Sequence, residues 1–220
     1  VDVLAHADRA IVGRAVEAAR ALTPIAGCGD TTALLAPTPP VPPALAPRVA
    51  AARRRLEEAR TLLAEAIAVS ALQGDHRLEG ASRTYAAHVA WLLGDLVEAE
   101  RQGGAAARVL AEVPPMLAGA LATLARVQLA AARPAAALVT ARAAYALLER
   151  LGSIEESEAN VGIAYAEALL AAGEPAAEVL AGARAKLLAR AARITDAAWR
   201  ARFLAGVPDH ARLLTLAGAL

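Results

Sequence analysis

Three helix-breaking turns recur at nearly equal intervals along this chain. Gly94, Arg133 and Gly173 stand 39 and 40 residues apart, and each opens onto the same kind of run: Leu96-Val-Glu-Ala99-Glu, Pro134-Ala-Ala-Ala137-Leu and Pro175-Ala-Ala177-Glu-Val. A period of this length that contains two helical stretches describes a stacked array, because one helix pair cannot hide both of its apolar faces and needs a neighbour laid against it. The composition is that of helices. Apolar residues make up 57% of the chain, largely as alanine, and aromatic residues only 3%. Alanine, leucine, arginine and glutamate lose little on entering a helix, while the residues that favour strands are scarce. Small side chains also let helices approach closely, so tight, alanine-rich packing is expected.

Glycine and proline punctuate the array. The stretch 48–73 is free of both and places Val49, Leu56, Leu62, Leu63, Ile67 and Val69 on one stripe. Gly74-Asp75 ends that helix and starts the next, 76–93, and Gly94-Asp95 does the same before 96–113. Pro114 and Pro115 introduce 116–132, followed by 135–151 and Gly152. Ser153 and Glu156 have the spacing of a capping box for a helix over 154–172, whose partner runs from Pro175 to about Ile194. Asp196 caps a short helix through Phe203, and Pro208 with Asp209 begins a last one ending near Leu216. Ahead of the array, Asp2 caps a helix, and the prolines at 37, 39, 40, 42 and 43 make a stiff linker. The expected organisation is an N-terminal helix over 1–23, a proline-rich linker over 24–47, helical repeats over 48–194 and capping helices over 195–220.

Charge narrows the partners. Twenty-three basic residues against 22 acidic ones leave a net charge of +1, with both signs spread over the helices and not gathered in one stripe. Neither nucleic acid nor an anionic membrane is therefore expected as a partner. The most apolar window, 116–132, is interrupted by Arg126 and Gln128, too soon for a span of roughly 20 residues. Cys28 is the single cysteine and has no internal partner, which fits a reducing compartment; a cytoplasmic location is expected.

Residue by residue, the three units resemble tetratricopeptide (TPR) repeats. The first offers Gly80, Tyr85, Leu93-Gly94-Asp95, Ala99 and Pro114. The second offers Ala131, Pro134, Ala137 and Ala144; the third offers Tyr165, Ala172-Gly173-Glu174-Pro175, Ala177 and Ala185. No tryptophan opens a unit, and the units are longer than the usual repeat of about 34 residues. Further segments, 1–8, 24–30, 147–156, 191–196, 202–204 and 207–212, are similar to the region that follows the kinase domain in bacterial serine/threonine protein kinases of the myxobacterial type. This resemblance implies an all-α, antiparallel helix-hairpin solenoid, wound as a right-handed superhelix, that serves as a regulatory or protein-docking scaffold beside a signalling enzyme. A structural spacer that self-associates, or a sensor arm of a transcription regulator, is the alternative.

No catalytic, cofactor or metal site is expected. Phosphoryl transfer needs a glycine-rich phosphate loop, a lysine and two aspartates in context, and none is found: His76-Arg77 is followed by Leu78, and Lys186 lies late in a helix. His6, His76, His88 and His210 form no pair at helical spacing. Cys28 has no histidine nearby to activate it. Glu155, Glu156 and Glu158 are expected in the first turn of a helix, where the dipole favours negative charge. Trp91, Trp199 and Phe203 are expected in the core, and no buried polar cluster is expected. The candidates that remain are polar and aromatic residues on the first helix of each pair, which lines the concave side of such an array and can receive a peptide. They are Tyr85, His88, Arg126, Asn160, Tyr165 and Glu167, and the expected partner is a protein or peptide.

Overall fold

The computed structural model describes residues 46–218, which form nine α-helices and no strand. They are α1 (Ala46–Gln73), α2 (His76–Leu93), α3 (Leu96–Val109), α4 (Pro114–Ala130), α5 (Pro134–Leu151), α6 (Glu158–Ala171), α7 (Ala177–Ala192), α8 (Ala197–Ala205) and α9 (Pro208–Gly218). The expected helix over 1–23, nearly all of the linker over 24–47, and the residues His6 and Cys28 lie outside the described residues. Pro47 falls in the first turn of α1, where its missing amide donor costs nothing.

The corners inside the hairpins are built alike. Gly74, Gly94, Ala132 and Gly173 adopt left-handed φ values of 69, 85, 56 and 76°. In each case the next residue's amide reaches back five positions: Asp75 to Ser70, Asp95 to Ala90, Arg133 to Gln128 and Glu174 to Leu169, at 2.8–3.0 Å. This double-bonded ending satisfies carbonyls that a helix end would otherwise orphan. Asp75 and Asp95 then accept hydrogen bonds from the amides of Leu78 and Glu98, at 3.0 and 3.1 Å, so one Gly-Asp pair closes one helix and opens the next.

Packing follows from the small side chains. α2, α4 and α6 lie side by side, α1 covers α2, α3 bridges α2 and α4, α5 bridges α4 and α6, and α7 covers α6. The helices α3, α5 and α7 make no comparable contact with one another. A row that packs closely beside a row that splays bends toward the close one, so α2, α4 and α6 form the inner, concave layer. The centre is an alanine seam in which Ala118, Ala122, Ala125, Ala137, Ala141, Ala144, Ala164 and Ala168 are all fully buried. Close approach is sharpest at glycine: a Cβ at Gly80 would overlap the Leu110 side chain, and one at Gly162 would stand 2.8 Å from Ala183 Cβ.

Two expectations fail here. The Ser153–Glu156 capping box does not form; the chain from 152 to 157 is irregular, and α6 starts later, at Glu158, without a side-chain cap. The reason is Ile154, which is pulled into the alanine seam and whose carbonyl accepts a 2.6 Å hydrogen bond from Arg190 Nη2. Trp199 is not core. It is 64% exposed on α8, a nine-residue helix that buries no residue fully, and the Arg202 guanidinium lies 5.5 Å from its ring centroid. Phe203 does pack inward, among Leu180, Leu187 and Leu213, and Trp91 is half-buried.

Candidate functional site

Four of the six candidates converge on one place on the inner layer. Arg126, on α4, donates from Nη1 to Asn160 Oδ1 on α6 at 2.8 Å. The same nitrogen lies 3.3 Å from Asp209 Oδ1 on α9. Its Nε faces Glu167 Oε2 at 3.5 Å without making a hydrogen bond. The guanidinium sits 5.0 Å from the Trp91 ring centroid on α2, a cation–π arrangement. His88 meets Trp91 edge-on at 5.5 Å. Glu167 accepts a 2.6 Å hydrogen bond from Arg212 Nε, and the Asn160 amide reaches Thr123 Oγ1 at 3.4 Å.

A buried polar cluster is therefore present, contrary to expectation. Glu167 is 3% exposed and the Arg126 side chain 12%. Charges taken this far from water must be paired, and here two guanidinium groups meet two carboxylates. His88 feels the same surroundings. Its pKa is lowered to about 4, chiefly by burial of the ring and then by the Arg126 charge, with Asp209 working in the opposite direction. The imidazole is neutral at pH 7.

The other two candidates look elsewhere. Tyr85 packs toward α1, beside Leu56, Leu63 and Val89. Tyr165 turns toward α5, its ring centroid 4.9 Å from that of Tyr145, whose hydroxyl pKa is raised by burial and then by Glu149. Asp209 and Arg212 are not candidates on the sequence, because they belong to the last helix. No local spacing links them to Arg126 or Glu167, and only the return of α9 onto α6 and α7 brings them there. The pattern that could have been read is a pair of Gly-x-x-x-Thr stretches, Gly80 with Thr84 and Gly119 with Thr123, in which each threonine hydroxyl donates to the glycine carbonyl. This repeat marks equivalent positions on α2 and α4.

A cavity of about 220 Å³ lies between α5, α6 and α7, with Glu149, Glu158, Lys186, Arg190 and His210 on its wall. Its charges are already paired, Lys186 with Glu149 at 3.3 Å and Arg190 with Glu158 at 3.0 Å. His210 Nδ1 lies 2.7 Å from the Phe203 carbonyl, near the end of α8. Among the described residues, no three His, Cys, Asp or Glu side chains converge as a metal ion would require, and no helix is long and apolar enough to cross a membrane.

No family model and no curated protein matches the chain. Solved structures do. A crystal structure described as the Podosopora anserina putative kinesin light chain with nearly identical TPR-like repeats, in a variant form, is 20% identical with a TM-score of 0.51, over 80% of this chain and 93% of that one. The structure described without that variation gives 19% and 0.50, over 80% and 94%. The fold is that of TPR-like repeats. At this level of identity the likeness is one of architecture, and within it α2–α3, α4–α5 and α6–α7 pair as three hairpins. What the site does chemically follows from its own residues: it is a set of ion pairs and hydrogen bonds that ties α4 and α6 to α9, with α2 joined through the cation–π contact of Trp91, and no activated nucleophile is among them.

Proposed function

We propose that this chain is a non-catalytic protein-binding scaffold, the TPR-like region of a bacterial serine/threonine kinase signalling protein, which works in the cytoplasm. The observation that carries the scaffold reading is the concave row of α2, α4 and α6, an architecture whose curved inner surface suits an extended or helical segment of another protein. The kinase association rests on the similarity of segments such as 147–156, 191–196 and 207–212 to the region following the kinase domain in such proteins. Among the described residues the most exposed large apolar side chains, Leu72, Val97, Val139 and Trp199, are carried by four different helices.

The test is a displayed library of helical and extended peptides selected on the full chain, followed by amide protection of the bound complexes. Protection confined to the inner helices supports the scaffold. Selection that yields no binder, or binders that protect only α3, α5 and α7, overturns it.

A further inference from the structure

α9 is held against the inner layer by charges that are matched on each side separately. The scaffold contributes Arg126 and Glu167, and α9 contributes Asp209 and Arg212. If α9 departs, Arg126 still faces Glu167 at 3.5 Å and still bonds Asn160, so neither surface is left with a lone buried charge. The apolar grip centres on one side chain, with Leu214, Leu216 and Ala217 packed only partly against the same cluster. Leu213 is the one residue of α9 that is fully buried, set among Ile163, Ala166, Leu180 and Leu187. The hinge is also slight, because α8 buries no residue fully, Phe203 and Leu204 being its partly buried contacts, and has only a narrow contact with α7. Finally, the fit is incomplete: with α9 in place, the buried Arg126 Nε has no hydrogen-bond partner. A buried donor left unmade is a penalty that a better-placed acceptor removes.

The geometry points to the face of α4, α6 and α7 beneath α9 as a helix-docking site whose resident occupant is α9 itself. It is exchanged for a helix of another protein carrying a carboxylate at one position, an arginine three residues on and a leucine immediately after it. That is the register of Asp209, Arg212 and Leu213, and it matches Arg126, Glu167 and the apolar slot in turn. The inference rests on the scaffold reading and adds to it the chemistry of the partner and a built-in competitor.

The experiment uses the full chain, wild type and Arg212→Glu, with a fluorescent peptide of the native sequence 206–220 as the probe. In the variant, Glu opposes Glu167 and α9 is loosened, so the peptide binds at least tenfold more tightly than to wild type. Amide exchange in α9 accelerates at least tenfold, while α4 and α6 keep their protection. Adding Glu167→Arg to the same chain abolishes peptide binding. Equal affinity for wild type and variant overturns the inference, as does binding that survives Glu167→Arg. Loss of helical circular dichroism in the variant overturns it too, since α9 would then be an indispensable part of the fold. A wild-type dimer in light scattering that Arg212→Glu dissolves assigns the site to a second copy and also overturns it. If the probe fails while library peptides still protect the inner helices, the exchange is refuted and the scaffold stands; if both fail, both fall.

Discussion

Ala132 occupies a left-handed corner with φ 56°, where the equivalent corners carry Gly74, Gly94 and Gly173. An L-residue with a Cβ pays about 1 kcal/mol or more for this conformation, whereas glycine enters it freely. Ala132→Gly should therefore raise stability by about 1 kcal/mol, seen as a melting temperature higher by about 2–4 °C. An unchanged or lower midpoint would refute the strain. Gly80 gives the opposite case, since its missing Cβ makes room for buried Leu110. Gly80→Ala should cost about 1–3 kcal/mol in urea unfolding through overpacking. His88 supplies a pH signature. Its folded pKa near 4 lies below the ordinary 6.5, so the unfolded chain takes up the proton first. Stability is thus unaffected above pH 6.5 and falls as the pH drops from there toward 4, by on the order of 1–3 kcal/mol from this ring. In His88→Gln that part of the acid limb should be missing, and parallel stability–pH curves for the two proteins would show the assignment to be wrong. At this scale the glycine corners were legible because Gly-Asp pairs advertise them. The Ala132 corner was misplaced by one residue, onto Arg133, because alanine carries no turn signal.

The helices themselves were read closely from punctuation alone. The limits 76–93 coincide with α2, and Pro114 and Pro134 each start a helix one or two positions earlier than expected. Failures came where tertiary contacts overruled local chemistry. Ser153 and Glu156 had the right spacing, but burial of Ile154 outweighs a cap worth about 1 kcal/mol. The same logic explains the candidate site: placing Arg126, Asn160 and Glu167 on inner helices follows from periodicity, yet their burial depends on α9, whose return no spacing announces. The energetic weight of the cluster should therefore track burial. Arg126→Met leaves buried Glu167 with Arg212 alone and Asn160 without its guanidinium donor, and should cost about 1–3 kcal/mol in chemical denaturation. Asp209→Ala, at a side chain 41% exposed, should cost about 1 kcal/mol or less. Equal costs would mean that α9 is as deeply committed as α4.

Across the whole molecule, stability is a sum of neighbour contacts, because each hairpin touches only those beside it. The alanine seam joining α4, α5 and α6 is the largest buried cluster, and α8 buries nothing fully. Native-state hydrogen exchange should accordingly show the slowest amides in α4 and α6 and the fastest in α8; uniform protection would indicate one indivisible unit. The solenoid was legible because its period repeats in the sequence, whereas its closure at the C-terminal end was not, since α9 follows no period. Interchangeable corners would let such an array gain or shed a hairpin by duplication without disturbing any single joint. Arg126 forbids this freedom. By reaching from one hairpin to the next and on to the final helix, it measures a fixed distance along the stack, and an inserted pair would pull its partners out of range. The ionic knot is thus a ruler for the distance from α4 through α6 to α9.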